Sequence, residues 1–115
     1  MIVSPTPRSP VPPEVSTELQ RVVQRWHQLP LEHALSHAGR VRALVQSLDD
    51  GVAVATGVPA AKVPDCGPQT LMDQLTVVVY DASLAHAGAS RTSTLASTLT
   101  SSLARDLASL RSELR

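Results

Sequence analysis

The chain has 115 residues, close to the commonest size for one domain, and 43% of them are apolar. Ten basic residues balance ten acidic ones, and neither sign forms a run. That balance argues against a nucleic-acid partner, because a phosphate backbone demands a basic face.

Trp26 and Tyr80 are the only aromatics and Phe is absent, so the core must be built from Leu, Val and Ala. Small aliphatic side chains suit closely packed helices better than a sandwich or barrel. The basic residues are arginines except for Lys62, a bias that fits a GC-rich bacterial coding sequence. Cys66 is the sole cysteine, which rules out an intramolecular disulfide and suits a reducing compartment. The opening MIVSPTPRSPVPPE lacks the features of a secretory leader, and no 18-residue apolar segment exists to span a bilayer. The expected location is the cytoplasm, with no membrane contact.

Prolines 5, 7, 10, 12 and 13 favour extended backbone, and residues 1–13 read as a disordered Pro-rich tail ahead of a single helical domain over 14–115. A first helix is expected near Pro13, with Glu14 in its opening turn. Thr17 and Gln20 offer an alternative capping box one turn later. Val15, Leu19, Val22, Val23, Trp26 and Leu29 form its stripe. Pro30 ends this helix and suits the first position of a second. There Ala34, Ala38, Val41, Val45, Leu48 and Val52 share a narrow arc, flanked by Leu44 and Ala55, out to about Thr56. A break at Gly39 would make five helices in all; without it the count is four.

GVPAAKVPDCGP, residues 57–68, concentrates Gly and Pro as the longest internal loop, with Asp65 or Gly67 capping a helix that starts at Pro68. In the next segment TVVVY has strand-like propensity, yet Leu71, Leu75, Val78, Val79, Ala82 and His86 repeat at helical spacing. Val77, Tyr80 and Leu84 occupy the opposite face, so this helix is apolar on two sides; Gly88 is its expected stop. Nine Ser or Thr in residues 90–102 weaken helical propensity. Leu95, Leu99, Leu103, Leu107, Leu110 and Leu114 nevertheless step as a helix would, with Arg105, Asp106 and Arg111 toward water. The expected fold is all-α, a small antiparallel four-helix bundle.

His33 and His37 stand four apart, the spacing of two imidazoles on one helical turn. A metal-binding bundle would complete that pair with an acidic residue of the third helix, Asp73 or Asp81, whereas the simpler reading places both histidines at the edge of a packing face. Arg40 and Arg42 are candidate partners of Asp73 if the second and third helices are antiparallel, with Asp81 and Gln74 pointing to solvent. HExxH, CxxC, glycine-rich phosphate loops and nucleophile elbows are all absent from the sequence, and Cys66 has no resolving cysteine. The chain therefore reads as a helical interaction module, leaning away from an enzyme and needing no cofactor. Val77, Tyr80 and Leu84 are its expected contact with a second copy, as a homodimer, or with another protein. The metal-binding bundle of His33, His37, Asp73 and Asp81 is the alternative.

Overall fold

The computed structural model describes residues 10–89 and 93–114; for residues 88, 89 and 93–97 only the backbone is described. Four α-helices occur among the described residues: α1 Pro13–Gln28, α2 Leu31–Thr56, α3 Leu71–Ala89 and α4 Ser93–Glu113, with a 3₁₀ turn at Pro68–Thr70 leading into α3. The expected tail lies mostly outside the described residues, as do the side chain of Leu95 and residues 90–92, where α4 was expected to begin.

Sequence punctuation accounts for the helix ends. Pro13 opens α1 as its first residue, where the missing N–H is no loss. Thr17 does not cap the helix; its hydroxyl donates back to the Pro13 carbonyl at 2.9 Å from within the second turn. Pro30 stands one residue outside α2, and its carbonyl accepts the Ala34 N–H at 3.0 Å. Gly57 ends α2 at φ 71°, a left-handed conformation that an L side chain rarely adopts. There the N–H of Val58 reaches the Ala53 carbonyl at 3.0 Å, and that of Gly57 the Val54 carbonyl at 3.4 Å, closing a Schellman motif. Gly39 lies inside an unbroken α2, which removes the fifth helix. α3 continues to Ala89, one residue past Gly88.

The expected stripes form the core. Val15, Val22 and Trp26 of α1 are buried, with Val41, Leu44 and Val45 of α2, Leu71, Leu75, Val78 and Val79 of α3, and Leu103, Leu107, Leu110 and Leu114 at the α4 end of the chain. Two alanines change places relative to expectation: Ala55 is exposed and Ala53 is buried. The Ala53 carbonyl is also the acceptor of the Val58 N–H in the Schellman turn.

Helix direction is the main departure from the expected arrangement. Residues 57–67 run back along α2, held by a series of side chains. Gln46 accepts the Val63 N–H at 2.8 Å and donates to the Ala61 carbonyl at 3.1 Å and to Asp50 at 2.8 Å. Farther along, Arg42 pairs with Asp65 at 3.1 Å, and Gln74 donates to the Pro64 carbonyl at 2.9 Å. Three of these bonds engage loop backbone groups, the Val63 N–H among them being part-buried, and a bond of this kind contributes about 0.5–1.5 kcal/mol.

α3 consequently starts beside Arg42–Gln46 and advances in the same sense as α2: Val45 and Asp49 share a groove with Asp73–Asp81, and Val52 and Ala55 share a cleft with Ala82–His86. α4 runs the other way, since Leu99 lies in that second cleft while Glu113 pairs with Arg40 at 2.7 Å. α1 runs with α4, because Glu18 pairs with Arg111 at 3.0 Å and Arg25 caps the Leu114 carbonyl. The sequence-adjacent pairs α1/α2 and α3/α4 are antiparallel as expected, whereas α2 and α3 are parallel and pack most closely on each other, as do α1 and α4.

Candidate interaction surface

α3 carries two apolar faces separated by their angular positions on the helix. One, with Leu71, Leu75, Val78, Val79 and Ala82, is buried in the core. The other remains open: Val77 is 60% exposed, Tyr80 46% and Leu84 53%. Single exposed aliphatic residues are ordinary, but three at steps of three and four make a continuous row.

Beside this row a groove of about 270 Å³ opens between α2 and α3. Its floor is Val45, Val63, Val77 and Val78, and its rim carries Asp49, Asp73 and Asp81. None of the three carboxylates has an ion-pair or hydrogen-bond partner among the described residues. The arginines expected near Asp73 are engaged elsewhere, Arg40 with Glu113 and Arg42 with Asp65. The parallel sense of α2 and α3 is the cause, because it points Arg42 at the returning loop. Gln74 is likewise tied to that loop instead of being solvated. Arg111, expected in water, is half-buried against Glu18, which also pairs with Arg21 at 2.9 Å.

The histidines and aspartates of the metal alternative are not gathered. Among the described residues no three His, Cys, Asp or Glu side chains stand close enough to hold a metal ion. α3 begins alongside Arg42, so Asp73 and Asp81 extend away from the α2 turns that carry His33 and His37. His33 is exposed, with its carbonyl accepting the Ser36 hydroxyl at 2.7 Å, and His37 is half-buried. Cys66 is a free, exposed thiol in the loop.

His86, which the sequence places on the α3 stripe, is half-buried in a cleft of about 250 Å³ lined by Leu48, Val52, Ala55, Ala82, Ala85 and Leu99 with their neighbours. Burial pushes its imidazole below the ordinary 6.5, since an apolar cleft disfavours the cation. In the unfolded chain His86 takes up its proton near pH 6.5, whereas the folded protein resists protonation to a lower pH. The unfolded state therefore holds more protons in that interval, and stability is full above pH 6.5 and falls as pH drops through it. A His86→Gln variant is expected to lose less stability than the wild type between about pH 7.5 and about pH 5.5 in urea melts. Equal losses in the two proteins would refute this assignment.

Asp49 is the site residue that the sequence pattern did not single out. It lies one turn after Val45, at the border of the α2 stripe, but only the position of α3 turns that border into a rim. No described helix is long and apolar enough to cross a membrane. No protein-family model matches the chain, and neither a curated protein nor a solved structure matches it.

Proposed function

We propose that this protein is a cytoplasmic helical interaction module that acts by binding another protein chain through the outer face of α3. The observation that carries the reading is the open row of Val77, Tyr80 and Leu84 on a helix whose other face is already buried. Full burial of a large apolar side chain is worth about 1.5–3 kcal/mol, and these three, each about half exposed, leave a fraction of it for a partner that covers them. Trp and Tyr are favoured at such contacts, and Tyr80, the only tyrosine of the chain, lies in the middle of the row. The single cysteine, which can form no intramolecular disulfide, supports a reducing location.

Site-specific photo-crosslinking tests this directly. A photoreactive residue in place of Leu84 is expected to give a discrete protein adduct in the source cells, while the same residue in place of the exposed Glu14 on α1 gives none. The adduct mass reports whether the partner is a second copy or a different chain. No adduct at position 84 above the position 14 control would overturn the reading.

A further inference from the structure

Partner chemistry is written in the charges around the row. Asp49 from α2 and Asp73 and Asp81 from α3 surround an apolar floor, and no cationic side chain lines the groove with them. Glu18, Asp65 and Glu113, by contrast, each face an arginine of the same chain. The groove is thus an aliphatic trough with an unneutralised acidic rim.

We propose that the outer face of α3, with this trough along its edge, takes a cationic amphipathic helix from a different protein. Its aliphatic residues would sit on Val77, Tyr80 and Leu84, and its Lys or Arg side chains would face Asp49, Asp73 and Asp81. The inference rests on the interaction reading above and deepens it by naming the partner's chemistry.

Three arguments select this occupant. The row from Val77 to Leu84 extends about 10 Å along α3, the distance over which residues i, i+3 or i+4, and i+7 of a docked helix present their side chains. A rim of one sign without internal partners is complementary to basic side chains, which raise the association rate and fix the register. A second copy is disfavoured on the same ground: a two-fold contact is self-complementary in place, and would set two groups of three carboxylates around one apolar seam. Nucleic acid and anionic lipid surfaces are repelled likewise. Tyr80, exposed in the row, adds a ring face on which an arginine can stack.

The test uses the full chain and two fluorescein-labelled helical peptides that share one leucine stripe, one with Lys at the flanking positions and the other with Glu. Fluorescence anisotropy is expected to show binding of the Lys peptide only, weakened by added salt. An Asp73→Asn/Asp81→Asn double variant should weaken it about tenfold, with a melting temperature close to wild type. Leu84→Ser should weaken it as well. Equal binding of both peptides, indifference to the carboxylate variant, or no binding of the Lys peptide would each overturn the cationic partner. Crosslinking at position 84 separates these failures from failure of the wider reading: an adduct of a second copy, or of a chain lacking a basic helix, keeps the face as a protein contact while removing this occupant.

Discussion

Leu75→Ala should destabilise the protein by about 2–5 kcal/mol, whereas Leu84→Ala, on the same helix, should change stability by less than about 0.5 kcal/mol. Leu75 is fully buried between α3 and its neighbours, so truncation both loses transfer free energy and leaves a void that the surrounding Leu and Val side chains fill only in part. Leu84 is more than half exposed, so shortening it leaves no enclosed void and the freed space fills with water. A small domain has only about 5–15 kcal/mol of net stability, so the first change is a large fraction of the total. Urea titrations followed by circular dichroism measure both. Similar losses for the two variants would mean that Leu84 is packed inside the protein, and would remove the open face on which the proposed function depends.

Trp26→Ala is expected to cost about 3–5 kcal/mol, lowering Tm by roughly 10–20 °C. Trp26 is the largest side chain of the α1 stripe and is buried within the core that α1 shares with α4. In a chain whose only other aromatic is the exposed Tyr80, nothing nearby has the volume to replace an indole. Because the change removes the sole tryptophan, the melt is followed by far-UV circular dichroism, not by fluorescence. A loss below about 1 kcal/mol would show that α1 is only loosely attached to α4.

The helices were legible because their determinants are local. Pro13, Gly57 and Pro68 act on the backbone of their own turn, and the repeats through Val41 and Val45, Leu71 and Leu75, and Leu103 to Leu114 mark the buried stripes within one helix each. The same logic reads TVVVY as helix in spite of its β-branched residues, because burial on a helical stripe outweighs a weak local propensity. It also identified Val77, Tyr80 and Leu84 as a second face, although a two-sided apolar helix is compatible either with burial between neighbours or with an open surface.

What the amino-acid order determined by itself is thus where α1 and α2 start and stop, to within a residue, and which side of each helix avoids water. Tertiary structure alone decided which stripes meet and in what sense. Apolar burial is non-directional and does not name its partner. Eleven loop residues can span up to about 36 Å, enough to return along α2 and start α3 beside Arg42 instead of at Gly57. That one choice, held by Gln46, Arg42 and Gln74, moves Asp73 and Asp81 away from His33 and His37 and sets them with Asp49 around an apolar trough.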